Sequence, residues 1–124
     1  MAKIKEKVGL PEAIARDKLA ENLSGGQKRK LCLGMALFGN PKVIFMDEPT
    51  SGMDPESRRA IWNIIRELRS EGKCIVLTTH HLEEADELSN RIAVLIKGKI
   101  FAQGSTNFIK KEFGVGYHLI IQPK

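Results

Sequence analysis

The chain has 124 residues, enough for one domain or part of one and for a modest core. With 42% hydrophobic and 28% charged residues it reads as globular rather than disordered. The formal net charge is +5, with clusters at Lys3, Lys5 and Lys7, at Lys28, Arg29 and Lys30, and at Lys110 and Lys111. No aromatic residues interleave these lysines, so solvated faces account for them better than a nucleic-acid surface. Cys32 and Cys74 lack close pair spacing, which argues against a zinc site or a disulfide framework and for a reducing compartment. No apolar run approaches membrane-spanning length and Met1-Ala2-Lys3 opens no signal peptide, so the chain itself is expected to be soluble.

Residues 1–21 read as ill-defined helix, with Ile4, Val8 and Leu10 on one face, Gly9 as a stop and Pro11 as a new start. Ser24, with Gln27 three residues on, predicts a capping box and a helix from about Gly25 to Phe38, with Gly39 just past its end. Leu31, Met35 and Phe38 form an apolar face that Leu33 and Leu37 widen, so the helix is expected to be well buried. Two glycines in its first turn cost about 1 kcal/mol each against alanine. Lys28, Arg29 and Lys30 sit near the positive end of the helix dipole. An anion bound at that N-terminus explains both costs. The alternative is a tight loop-to-helix turn that happens to be basic.

Val43-Ile44-Phe45-Met46 runs directly into Asp47-Glu48. A short apolar run without alternation predicts a strand buried on both faces, stopped by Pro49. Its carboxylates would lie at the carboxyl end of the strand, where open α/β sheets bind ligands. Magnesium suits such a pair, since it is held by one or two carboxylates with waters and phosphate oxygens. The second carboxylate can orient or deprotonate a water. A solvated turn or cap is the plainer use for the same dipeptide.

Asp54-Pro55 predicts an N-cap and first helical residue, with a helix to about Glu71 ended by Gly72. Ile61, Ile64, Ile65 and Leu68 mark its inner face, and Trp62 is placed on an exposed flank, with core or partner packing expected of it rather than ligand stacking. Cys74 to Thr78 predicts a second buried strand, parallel to 43–47 through a βαβ unit. Thr79-His80-His81 then falls at the same sheet edge as Glu48. A short acidic helix, about Leu82 to Leu88, leads to a strand at Ile92–Ile96. Lys97-Gly98 predicts a two-residue hairpin turn into Lys99–Ala102. Ser105 caps a helix through Phe113, and Tyr117–Ile121 reads as a last strand.

Together, Leu23-Ser24-Gly25-Gly26-Gln27, the strand ending in Asp47-Glu48, Ser51-Gly52-Met53-Asp54 and His80 resemble the ATP-binding cassette of ABC transporters. In order they look like its signature motif, Walker B with the catalytic glutamate, D-loop and switch histidine. Lys28-Arg29-Lys30-Leu31, Ser51-Gly52-Met53-Asp54-Pro55 and Phe113-Gly114-Val115-Gly116-Tyr117-His118-Leu119 resemble the A subfamily, whose members are large lipid-associated transporters. One departure stands out: Gly-x-x-x-x-Gly-Lys-Ser/Thr is absent, because Gly98-Lys99 is followed by Ile100 and lacks the earlier glycine.

The resemblance implies an α/β fold: a partial P-loop NTPase with parallel strands 43–47 and 74–78 and a C-terminal β-hairpin, lacking the phosphate-loop half. Residues 1–39 would end a helical subdomain and carry the signature helix, 40–104 would be core, and 105–124 a C-terminal extension. It implies ATP and Mg²⁺ as cofactors. Asp47 would hold the metal through water, Glu48 would be the general base, and His80 would contact the γ-phosphate. Ser24, Gly25, Gly26 and Gln27 would serve the ATP of an opposing cassette, and Asp54 would add a contact across the pair. The expected partners are a second cassette and transmembrane domains, with no nucleic acid, at the cytoplasmic face of a membrane. The expected function is part of a transporter cassette coupling ATP hydrolysis to lipid transport. The alternatives are a non-catalytic remnant or a cassette of a non-transport ATPase of the same superfamily. Without the phosphate loop, the chain alone is expected not to hydrolyse ATP.

Overall fold

A computed structural model of the chain describes residues 4, 7–10 and 19–114. The expected last strand at Tyr117–Ile121 and most of the expected N-terminal helix lie outside the described residues. The chain divides into two compact units, Met1–Glu84 and Ala85–Lys124.

The first unit begins, after a single 3-10 turn at Ala20–Asn22, with α1 at Gly25–Ala36. The expected capping box forms: Gln27 N donates to Ser24 Oγ at 3.3 Å, and Ser24 N donates to Gln27 Oε1 at 3.0 Å. The helix closes two residues earlier than predicted. Phe38 N turns back to the Met35 carbonyl, an i to i−3 bond that tightens the last turn. Burial also differs. Leu33 and Leu37 are buried, but Met35 and Phe38 are exposed, because only one side of α1 is covered. Lys30 has a structural partner, donating to the Gly9 carbonyl at 3.3 Å.

β1 (Val43–Asp47) and β2 (Cys74–Thr78) pair in parallel, joined by α2 (Pro55–Ser70). The register sets Val43 against Cys74 and Asp47 against Thr78. Asp54 Oδ1 caps α2, accepting from Glu56 N at 3.1 Å and Ser57 N at 2.9 Å. Ile61, Ile64, Ile65 and Leu68 are buried as their spacing requires.

The strands are not buried on both faces. Ile44 and Met46 are buried, while Val43, Val76 and Phe45 are exposed, Phe45 to 77%. A lone βαβ crossover covers one side of its strand pair, which leaves the opposite face open. Trp62 packs in the core, one of its two expected uses, and not on an exposed flank. It is only 5% exposed, because its indole N–H turns inward to a buried carboxylate, Glu84.

α3 (Leu82–Leu88) links the first unit to the second. In the second unit β3 (Ile92–Ile96) and β4 (Lys99–Gly104) form the predicted antiparallel hairpin, and β4 runs two residues further than expected. Its turn needs positive φ at both central residues, and Lys97 (φ 50°) and Gly98 (φ 73°) supply it. The register shifts between Val94 and Leu95, a bulge. α4 (Thr106–Phe113) starts at the expected cap, with Phe108 N donating to Ser105 Oγ at 3.2 Å. A Cβ at Gly104 would lie 2.5 Å from Phe108 Cδ1, so the helix seats on β4 only where that strand has no side chain. The β1–β2 and β3–β4 pairs are separate two-stranded sheets.

Burial sets an expectation for stability. Leu68→Ala should cost the first unit about 2–5 kcal/mol, whereas Phe45→Ala on the open face should change stability by no more than about 0.5 kcal/mol. Urea unfolding followed by the emission of Trp62, the sole tryptophan, measures both. Equal losses would contradict one-sided burial.

Candidate functional site

The parallel register brings three sequence-predicted residues to one edge. Asp47 ends β1 directly opposite Thr78, which ends β2. The Thr78 hydroxyl donates to Asp47 Oδ1 and so orients that carboxylate. Glu48 follows with φ 46°, in the left-handed region that few non-glycine residues adopt. Its amide is held by two acceptors of one residue, the Thr78 carbonyl at 3.2 Å and the Thr78 hydroxyl at 3.1 Å. The resulting turn swings the Glu48 side chain toward His80. Glu48 Oε2 lies 2.8 Å from His80 Nδ1.

Glu48 Oε2 itself is buried, with His80 Nδ1 beside it. The imidazole is 63% exposed and the carboxylate side chain 35%. The rings of His80 and His81 approach at 4.1 Å, and His81 N donates to Thr79 Oγ1 at 3.0 Å, which fixes the bend after β2. Beside Asp47 lies a cleft of about 150 Å³, lined in part by Arg29 and Cys32 of α1 and by Phe45.

Ser24, Gly25 and Gly26 lie at the N-terminus of α1. A Cβ at Gly25 would meet nothing within 4 Å, so its backbone faces open space. Gly26 faces the start of α2, where Ser57 Oγ would be 3.6 Å from an added Cβ. Gln27 is committed to the capping box, and Asp54 to the cap of α2. The Ser57 hydroxyl bond to Asp54, followed by the Ser57 backbone bond, holds the Asp54 carboxyl below its ordinary value of 3.8.

Sequence reasoning passed over three residues. Thr78 was legible in the parallel register, which pairs it with Asp47. Thr50 and Glu84 are both fully buried, and Thr50 Oγ1 donates to Glu84 Oε1 at 2.7 Å. The signal for Glu84 was its i, i+4 spacing from Leu88, within the short acidic helix.

Asp47 and Glu48 are consecutive residues that bring carboxylate oxygens to this edge, with the His80 imidazole against Glu48. Among the described residues no cluster of three or more His, Cys, Asp or Glu is placed to hold a metal ion. The oxygen pair fits a hard cation that completes its shell with water and phosphate oxygens. Among the described residues no helix is long and apolar enough to cross a membrane.

A family model described as "AAA domain, putative AbiEii toxin, Type IV TA system" matches residues 14–86, more than half of the chain. The chain belongs to this AAA-domain family. The toxin in that description is said of the family, not of this chain. The chain is 52% identical over 117 residues to ABC transporter A family member 6 of Dictyostelium discoideum, covering 94% of this chain and 7% of that protein. It is 49% identical over 106 residues to the phospholipid-transporting ATPase ABCA3 of Rattus norvegicus, covering 86% of this chain and 6% of that protein. The solved dimeric ATP-binding cassette MJ0796, in a post-hydrolysis state bound to ADP and Pi, superposes with a TM-score of 0.75 at 28% identity, covering 84% of this chain and 44% of that one. The chain is therefore part of an ABC-type cassette, most like those of A-family transporters, and it spans a small fraction of the curated relatives it matches.

The Asp54 cap predicts a pH dependence. A carboxyl with a lowered value in the folded state contributes stability that is present above its ordinary value of 3.8 and is lost as pH falls through the lowered one. Stability of the wild-type chain should therefore fall more steeply below 3.8 than that of Asp54→Asn, whose amide caps without titrating. Parallel acid titrations of the two proteins would show the difference, and superimposable curves would refute it.

Proposed function

We propose that the chain supplies one hydrolytic edge and one signature edge of an ATP-hydrolysing cassette in a membrane transporter. The meeting of Glu48 and His80 at 2.8 Å, beside Asp47 at the carboxyl ends of two parallel strands, supports this reading most. Phosphoryl transfer asks a protein chiefly for positioning and charge stabilisation. Bound Mg²⁺ supplies charge neutralisation at the phosphates.

Each residue then has a task that follows from its surroundings. Asp47 would hold the metal, with Thr78 fixing the direction of its carboxylate. Glu48 takes the proton of the attacking water, with the His80 imidazole 2.8 Å from its Oε2. His80 turns Nδ1 to Glu48, which leaves Nε2 for the γ-phosphate and the water. The backbone of Gly25 and Gly26 and the Ser24 hydroxyl meet the γ-phosphate of ATP held by an opposing cassette, at the positive end of α1. Gln27 keeps Ser24 in place, and Asp54 adds a contact across the pair to its work as a cap.

The partners in this reading are a second cassette and transmembrane domains, at the cytoplasmic face of a membrane. The dimeric solved relative and the transporter relatives support them. The name of the phospholipid-transporting relative supports a lipid cargo. Residues 1–39 would complete a helical subdomain with the signature helix, 40–104 the core, and 105–124 a C-terminal extension.

Two substitutions test the reading in a complete cassette that includes this chain. Glu48→Gln should keep ATP binding and lower steady-state hydrolysis by about 10²–10⁴-fold, the usual share of a general base. Turnover close to wild type would remove Glu48 from that role. Ser24→Arg should leave ATP binding to the same cassette intact and prevent ATP-dependent pairing, as read by light scattering. Loss of binding by an isolated cassette with this change would place the Ser24 contact in the same subunit and contradict the assignment.

A further inference from the structure

Thr50 and Glu84 are the buried polar side chains among the described residues, and they are bonded to each other. Glu84 Oε1 accepts from Thr50 Oγ1 at 2.7 Å and from Trp62 Nε1 at 2.9 Å. One carboxylate oxygen thus gathers three segments: the turn after β1, the middle of α2 and the start of α3. Those segments carry the reacting pair. Thr50 stands two residues after Glu48, in successive turns closed by Ser51 N to the Glu48 carbonyl and Met53 N to the Thr50 carbonyl, each 3.2 Å. Glu84 stands four residues after His80.

Neither Glu48 nor His80 is held by its own surroundings alone. Glu48 occupies the left-handed region, which persists only where neighbouring structure enforces it. His80 is largely exposed. Glu84 Oε2 is buried with no partner among the described residues, a cost that a link serving stability alone has no reason to carry.

We infer that Glu84 is a positioning residue: by tying Thr50 to α3 it holds the Glu48 segment and the His80 segment at contact distance. The inference takes the roles of Glu48 and His80 from the function proposed above, but its test does not depend on them.

The test uses the 124-residue chain and two spectroscopic readouts. Emission of Trp62 reports whether the indole is buried. The nuclear magnetic resonance signals of the His80 ring report the Glu48 contact through their response to Glu48→Gln. That response should be present in the wild-type background and in Glu84→Gln, whose amide oxygen can accept from both Thr50 and Trp62. It should be lost in Glu84→Ala and in Thr50→Val, the second of which preserves shape if the first fails to fold. A merely structural role would lower the melting temperature of Glu84→Ala and leave the His80 response intact in the folded protein. A full response in Glu84→Ala or Thr50→Val would overturn the inference. So would its loss in Glu84→Gln, its absence in the wild type, or solvent-like Trp62 emission in the wild type. Undiminished hydrolysis by Glu48→Gln in a complete cassette would instead overturn the proposed function and leave this coupling standing.

Discussion

The parallel pairing of β1 with β2 is the constraint on which the site depends. A parallel pair aligns the carboxyl ends of its strands, so residues far apart in sequence arrive at one edge. Here the register ends with Asp47 beside Thr78, and Thr78 does the rest. Its hydroxyl donates to Asp47 and lies within bonding distance of the Glu48 amide, while its carbonyl receives that amide as well. A slip of one residue would turn every side chain in the strand to the opposite face and separate Asp47 from its donor. The site therefore inherits its accuracy from the ladder rather than from the loops that carry it.

Much of this was legible before the fold was known, for identifiable reasons. Caps are local chemistry, so Ser24, Asp54 and Ser105 marked their helices correctly. The βαβ unit and the Lys97-Gly98 turn followed from period and turn residues, which are also local. Burial was read less well, because it depends on what covers a face. An apolar run such as Val43 to Met46 marks a strand, but the open side that exposes Phe45 is a property of the assembled layers. Met35 and Phe38 were misjudged for the same reason. Trp62 was set on an exposed flank with core or partner packing as its use, and Glu84 was given no role; each supplies the other's buried hydrogen-bond partner.

The basic start of α1 shows how a functional argument must share its residues with structure. Lys28, Arg29 and Lys30 lie near the positive end of the helix dipole, a cost that a bound anion would explain. Lys30 proves to tie α1 to Gly9, and Arg29 borders the cleft beside Asp47. An anion there would meet the open backbone at Gly25 and the Ser24 hydroxyl rather than the basic cluster as a whole. Backbone amides at a helix start have fixed directions, while lysines on a surface do not.

The conformation of Glu48 brings strain and chemistry into one place. A glycine there would relieve the backbone and remove the carboxylate, whereas glutamate keeps the carboxylate and accepts the left-handed φ. Such a residue costs of order 1–3 kcal/mol and needs neighbours that leave it no alternative. Thr78 takes the amide on one side of the turn, and on the other Thr50 is locked to a buried carboxylate. The hydrophobic residues of α2 keep that carboxylate dry and so make its hydrogen bonds strong. The core beneath the site thus acts on its geometry through Trp62 and Glu84, side chains that face inward and are bonded to each other.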